Sequence, residues 1–236
     1  MKIMMVEGRY RGKININNLD ATILPKNIGL VTTVQFLDFV DEIKQFLENK
    51  GKIVFIDKIK QKYEGQLLGC DIGGAEKIKD IVDAFLYIGT GMFHPLGIAL
   101  NIDKDIFCYD PINAIMSKID NEKVEIYNKK KRGAYLKFLE SKEIGILVSI
   151  KPGQNNFRKA VELKKQLRGK NCYIFVFDTL DFNQIENFPF IACWINTACN
   201  RLLDDYDKFQ KPLIDLSDLE KMETIAYANL LSIKSK

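Results

Sequence analysis

IGLVTTVQFLDFVDEIKQFLENKGKIVFI, Ile28 to Ile56, holds a complete strand, helix, strand pattern. Its opening residues are apolar without alternation, as in a strand covered on both faces. Phe36, Phe39, Val40, Ile43, Phe46 and Leu47 then recur at helical spacing, and Gly51 stands where such a helix would end. KIVFI, Lys52–Ile56, is the second strand. Two strands joined through a helix pair in parallel, because the chain must cross back before the second strand begins. DAFLYIGTG from Asp83 and DIFCYD from Asp105 add two further strands, so the expected unit is a parallel sheet with helices on its faces.

The same order recurs in IGILVSIKPGQNNFRKAVELKKQLRGKNCYIFVF, Ile144–Phe177. AFLYIGTG, Ala84–Gly91, likewise matches IACWINTA, Ile191–Ala198: five positions, a small or polar residue, then Thr and another small residue. Both offsets are roughly 110 residues, which reads as two copies of one unit. The expected fold class is therefore α/β, built of repeated small parallel-sheet α/β domains, with one copy over 27–125 and another over 126–236. KIMMVEG, Lys2–Gly8, resembles the closing strand of a copy, so 1–26 is expected to be the remnant of an earlier α/β domain whose beginning is absent.

Composition excludes several classes. At 236 residues, 47% hydrophobic and 28% charged, the chain can bury one large core or two ordinary ones. A net charge of +4 is spread over a Lys-rich surface, and its one dense run, Lys129–Arg132, is expected to be a solvated helix start, so nucleic acid is not an expected partner. No stretch reaches the roughly 18 apolar residues that span a bilayer, and MKIMMVEGRY is too short an apolar run for a signal peptide. A cytoplasmic protein, off the membrane, is expected.

The five cysteines have no regular spacing. Cys108, Cys172 and Cys193 lie in the apolar runs DIFCYD, NCYIFVF and FIACWI, where a thiol behaves as a small hydrophobe. Cys70 in GQLLGCDIGG and Cys199 in NTACNR are flanked by small residues, which leave room for a bulky or inorganic partner at the sulfur. Neither has the CxxC or HxxxH partner of a zinc site, and disulfides are not expected in a reducing compartment.

Ligands of open parallel sheets bind outside the carboxyl ends of the strands. Those ends carry Thr32, Thr33 and Gln35; Gly89, Thr90, Gly91, His94 and Pro95; Lys151, Gly153 and Gln154; and Thr197, Cys199 and Arg201. Each loop alone has a plain alternative as a helix cap or turn. Together, four polar, small-residue loops on one edge favour a binding role. His94, the single histidine, has a structural reading beside the functional one. GxGxxG, GxxxxGK[ST] and GxSxG are all missing, which removes the usual signals of dehydrogenases, P-loop ATPases and serine hydrolases.

GQLLGCDIG, DAFLYIGTGMFHPLGIAL, IGILVSIKPGQNNFRKAVELKKQL and INTACNRLLDDYDKFQKPLI occur in this order, and the chain from Met1 to about Leu219 resembles the archaeal diphthamide biosynthesis enzymes, the 2-(3-amino-3-carboxypropyl)histidine synthase family. The resemblance implies three similar α/β domains, each giving one cysteine to a 4Fe-4S cluster, and a dimeric assembly. It implies non-canonical radical S-adenosylmethionine chemistry that moves a 3-amino-3-carboxypropyl group to a histidine of translation elongation factor 2. By the same resemblance Cys70 is the second-domain metal ligand and Cys199 the third-domain one. Thr32, Gln35, Gly89, Thr90, Gly91, His94 and Gln154 become the candidates for S-adenosylmethionine binding, and Arg201, Asp204 and Asp205 possible supports of the third-domain site, with helix-start electrostatics as the alternative. Asn200 stands where the family commonly has proline.

No cysteine precedes Cys70, so the first-domain ligand is not among these residues. Three accounts are open: a separate polypeptide supplies the third thiolate of a split enzyme; the sequence is partial; or the chain is a non-catalytic relative, a binding or electron-delivery partner of a complete enzyme. A small-molecule-binding α/β module without a cluster is the reading from a different class.

Overall fold

In the computed structural model the described residues are 4, 6–60, 62–69, 71–199, 202 and 211–222. The chain divides into two compact units, Met1–Glu125 and Ile126–Lys236.

The first unit is a five-stranded sheet of β1 (Asn27–Thr32), β2 (Ile53–Phe55), β3 (Ala84–Ile88), β4 (Asp105–Asp110) and β5 (Ile115–Lys118), in the order β2-β1-β3-β4-β5. β1 to β4 are parallel and β5 returns antiparallel to β4. Sequence pattern does not announce β5. Asp110 makes it, because its carboxylate accepts from the N–H groups of Ile112 (2.9 Å) and Asn113 (3.0 Å) and folds the chain back.

The unbroken apolar runs of β1 and β3 are explained by cover on both faces. Ile28 and Leu30 meet Ile43 and Leu47 of α1 (Val40–Asn49). On the opposite face, Val31, Phe85 and Tyr87 meet Ala75 and Ile78 of α2 (Gly73–Ile78) and Ile98 of α3 (Phe93–Ala99). The expected helix from Val34 begins as a 3-10 turn, Val34–Phe39, before α1. Thr33 does not cap it, since its hydroxyl donates to Gln35 Oε1 (3.3 Å) instead.

Residues before Asn27 depart from expectation. Among the described residues of Lys2–Gly8 none is in a strand. Ile16, Leu19, Ala21 and Leu24 are buried in the same core as Ile28, Tyr10 packs on Phe36 with ring centres 5.6 Å apart, and its N–H donates to Gln35 O (2.8 Å). Apolar burial against α1 and β1 thus ties this segment to the first unit.

The second unit is a parallel sheet of β6 (Glu143–Ser149), β7 (Asn171–Phe177), β8 (Cys193–Asn196) and β9 (Leu213–Asp215), in the order β7-β6-β8-β9. Ile144, Ile146, Val148 and Ile195 face Ala134 and Phe138 of α4 (Asn121–Glu140) and Ala160 and Leu163 of α5 (Phe157–Gln166). Leu147, Trp194 and Leu213 lie on the other face with Ile185 of α6 (Phe182–Ile185). The basic run Lys129–Arg132 lies within α4 and not at a helix start, and Lys131 pairs with Asp218 at 2.8 Å.

Both units therefore place their first strand between their second and third. The register sharpens the match. Gly29 faces Phe85 and Gly145 faces Trp194 across the same strand pair, and a Cβ on either glycine would lie 2.6 Å from the Phe85 ring or 2.3 Å from the Trp194 ring. Only glycine lets the neighbouring aromatic lie flat over the strand. Ile28 pairs with Ala84 and Ile144 with Cys193, so Ala84 is the counterpart of Cys193, where the sequence match had put Leu86 opposite that residue. A two-residue slip keeps every side chain on its own face, so apolar alternation cannot detect it.

Candidate functional site

The carboxyl edge of the first sheet is closed by hydrogen bonds. The fully buried Thr32 donates its hydroxyl to Ile88 O (2.7 Å), its N–H to Gly65 O (2.8 Å), and accepts from Leu67 N (2.7 Å). The segment leading to Cys70 is thereby fastened to the ends of β1 and β3. Leu68 and Asp71, on either side of Gly69 and Cys70 in sequence, exchange backbone hydrogen bonds of 3.1 Å in both directions. A Cβ on Gly69 would lie 2.6 Å from the Phe93 ring, so the Gly69 backbone rests on the GTGMFHP loop.

His94, half-buried, stacks on Tyr87 with ring centres 6.1 Å apart and meets Phe93 edge-on at 5.0 Å. Burial pushes the Tyr87 hydroxyl up to about 12, its hydrogen bond with Thr33 opposing. Gly89 is buried, with its N–H on Tyr109 O (3.0 Å), whereas Thr90, Gly91 and Gln35 are exposed. The structure thus brings Thr32, Gln35, Gly89, Thr90, Gly91 and His94 to one edge, with Gly69 beside them. Cys70 itself lies outside the described residues, as do Arg201, Asp204 and Asp205.

In the second unit Gln154 sits half-buried in the β6–α5 loop, its N–H on Lys151 O (3.0 Å). Asn156 Nδ2 ties this loop to Thr197 O (2.6 Å). Thr197 donates its hydroxyl to Leu147 O (2.7 Å), and Asn196 Nδ2 donates to both Cys199 O (2.7 Å) and Asp215 Oδ1 (2.6 Å). Cys199 is therefore a half-buried free thiol on a fastened turn at the carboxyl end of β8.

The other described thiols are unlike it. Cys108, Cys172 and Cys193 are buried in β4, β7 and β8, and burial raises each thiol, to about 12 for Cys108 and Cys193. None is disposed to act as a thiolate near neutral pH. Among the described residues no three of His, Cys, Asp and Glu come together as a ligand group. Among the described thiols the donor that fits an iron-sulfur cluster is Cys199: its sulfur is a soft ligand and, unlike the other three, it is not buried. Sequence reasoning did not single out Tyr87, Asn156, Asn196 or Asp215. The signal for Asn196 and Asp215 was a polar residue closing an otherwise apolar strand in ACWIN and PLID.

Among the described residues no helix is long and apolar enough to cross a membrane. A family model described as "Putative diphthamide synthesis protein" matches residues 3–225. The 2-(3-amino-3-carboxypropyl)histidine synthase of Pyrococcus horikoshii is 33% identical over 202 residues, 84% of this chain and 57% of the relative. The protein of the same name from Methanocaldococcus jannaschii is 32% identical over 187 residues, 74% of this chain and 54% of its own length. A crystal structure of Dph2 from Pyrococcus horikoshii with a 4Fe-4S cluster superposes with a TM-score of 0.74 at 28% identity, covering 90% of this chain and 63% of that one. The chain thus spans little more than half the length of these curated relatives.

Proposed function

The chain belongs to the diphthamide synthesis family, and from that footing we propose that it takes part in the first step of diphthamide biosynthesis, transfer of a 3-amino-3-carboxypropyl group from S-adenosylmethionine to a histidine of translation elongation factor 2. In this reading Cys70 and Cys199 each give one thiolate to a 4Fe-4S cluster. A further thiolate comes from residues outside these 236, and the working assembly includes a second copy.

The observation that carries the reading is the difference between Cys199 and the buried thiols: among the described residues it is the one half-buried sulfur, on a hydrogen-bonded turn at the strand edge where α/β sheets bind ligands. Cys70 and Cys199 would hold the cluster, which would supply the single electron that splits the sulfonium into methylthioadenosine and the 3-amino-3-carboxypropyl radical. The chain's own residues bind and orient. Thr32 seals the base of the first edge, Gly89, Thr90 and Gly91 let the nucleoside approach the backbone, and Gln35, His94 and Gln154 offer polar side chains to its base, ribose or amino acid. Tyr87 holds His94 by stacking, and with a hydroxyl pushed up to about 12 it stays protonated.

The test is transfer in vitro. The chain, reconstituted anaerobically with iron and sulfide, is mixed with S-adenosylmethionine, a one-electron reductant and elongation factor 2, with and without a candidate partner polypeptide. Mass spectrometry of the histidine-bearing peptide should show the added 3-amino-3-carboxypropyl group, and the group should be lost with Cys199→Ser. No addition under any of these conditions would overturn the reading.

A further inference from the structure

We infer that Asn196 and Asp215 are positioning residues for the Cys199 thiol, a buried amide–carboxylate pair that fixes the main chain of the thiol-bearing turn before any ligand arrives. The proposal deepens the reading of Cys199 as a cluster ligand and rests on it for its purpose, though not for its geometry.

Asn196 is 2% exposed and Asp215 3%, and they are register partners on β8 and β9. Asp215 Oδ1 accepts from Asn196 Nδ2 at 2.6 Å, which fixes which way the amide faces. The second N–H of that nitrogen donates to Cys199 O at 2.7 Å, and Asn196 Oδ1 accepts from Ala198 N at 2.9 Å. One side chain thus holds the turn at Ala198 N, before the thiol, and at Cys199 O, after it. Thr197, between Asn196 and Ala198, is fixed through Leu147 O and Asn156 Nδ2. Cys199 O also accepts from Leu202 N (2.9 Å), so the clamp acts beside one ordinary backbone bond.

Asparagine is the residue this arrangement needs. Leucine of similar size has neither donor nor acceptor, aspartate has no donor for Cys199 O, and glutamine is one carbon too long for the same turn. The pair at the matching register of the first unit is Tyr87 and Cys108, neither of which has a side-chain amide. Residues that orient a metal ligand commonly change metal retention tenfold or more when altered.

The test separates joining two strands from positioning the thiol. In the double variant Asn196→Asp, Asp215→Asn the amide at 215 donates to the carboxylate at 196, which still accepts from Ala198 N, so the strand-to-strand bond survives. The donor to Cys199 O is replaced by a carboxylate oxygen that repels it, so the turn is released at that point. In the full-length apo chain, iodoacetamide labelling of Cys199, followed by peptide mass spectrometry, should run about fivefold faster than in the parent while circular dichroism melting is kept. After anaerobic reconstitution, iron should pass to a chelator about tenfold faster.

If the swap does not fold, Asn196→Ser, which keeps an acceptor for Ala198 N but cannot reach Cys199 O, should give the same increase. Parental labelling and iron-loss rates in a folded variant would overturn the proposal. Cys199→Ser tests the ligand reading separately: if it binds iron as the parent does, that reading fails, and the labelling rates still decide the clamp.

Discussion

The two units solve the same packing problem with the same parts and then part company at the edge where ligands would bind. Each threads its first strand between its second and third, and each has a glycine on that strand under an aromatic ring, Gly29 under Phe85 and Gly145 under Trp194. At the strand ends the matching register pair is Tyr87 and Cys108 in one unit and Asn196 and Asp215 in the other. The puzzling cysteines follow different strands, Cys70 the second of its unit and Cys199 the third. Positions that carry the fold are repeated, and the positions proposed to carry chemistry are not. A duplicated sheet can keep its core while its loops and strand ends diverge, because the core tolerates little change in volume or face.

The comparison breaks most visibly at the glycines. Gly145→Val would drive a methyl-bearing Cβ into the Trp194 ring and is expected to cost about 3 kcal/mol, against about 2 kcal/mol for Gly29→Val beside Phe85. Trp194 is the single tryptophan, so its fluorescence follows the second unit during urea unfolding while circular dichroism follows both. An unchanged fluorescence midpoint for Gly145→Val would show that the crossing does not seat that strand.

Next in size is the divergent pair. Asn196→Ala leaves the Ala198 N–H and the buried Asp215 carboxylate each short of a partner and should cost about 2 kcal/mol. Tyr87→Phe at the matching place removes one hydrogen bond with Thr33 and should cost no more than about 1 kcal/mol. Equal costs in urea melts would remove the distinction between a polar clamp and a packed ring. Trp194→Phe makes the second crossing resemble the first. Its lost volume is offset by removal of an indole N–H that has no hydrogen-bond partner among the described residues, so the change should stay below about 1.5 kcal/mol.

The smallest effect near neutrality is on alkaline stability. Tyr87 and Cys108 of the first unit and Cys193 of the second are all pushed up to about 12 by burial, from ordinary values of 10.0, 9.0 and 9.0. Groups raised on folding give stability that is complete below their unfolded values and is lost as pH climbs toward the folded ones, because the unfolded chain releases the proton first. Stability should therefore fall from about pH 9 toward 12. Cys108→Ala should flatten the decline of the first unit. A pH profile that Cys108→Ala leaves unchanged would contradict the assignment.

Much of this arrangement is legible in the sequence. Period and composition give β1 to β4 and β6 to β8, the α1 and α5 helices, and the burial of Cys108, Cys172 and Cys193. The carboxyl-edge positions of Thr32, Gly89 and Gln154 follow from strand ends alone, whereas His94, expected in a loop, lies in the first turn of α3. What the sequence hides has physical causes. The alignment of the two copies slips by a step that leaves inside and outside unchanged, and β5 depends on a side chain of Asp110 binding backbone ahead of it. Asn196 and Asp215 stand 19 residues apart, each ending an apolar run, and only parallel pairing of β8 and β9 brings them together. Among the described residues of Lys2–Gly8, where a strand was expected, none is in one, and the apolar residues from Ile16 on are buried in the first unit's core.

The claim on which the functional account turns is that Cys199 differs in kind from the thiols buried in the strands. Iron and sulfide bound per chain after anaerobic reconstitution in dithiothreitol, which supplies spare thiolates, and desalting measures it directly. The parent chain should retain iron with sulfide-to-iron absorption, Cys199→Ser and Cys70→Ser should each lose most of it, and Cys172→Ser should match the parent. A parent chain without bound iron, or a Cys199→Ser chain that binds as much as the parent, would contradict the account.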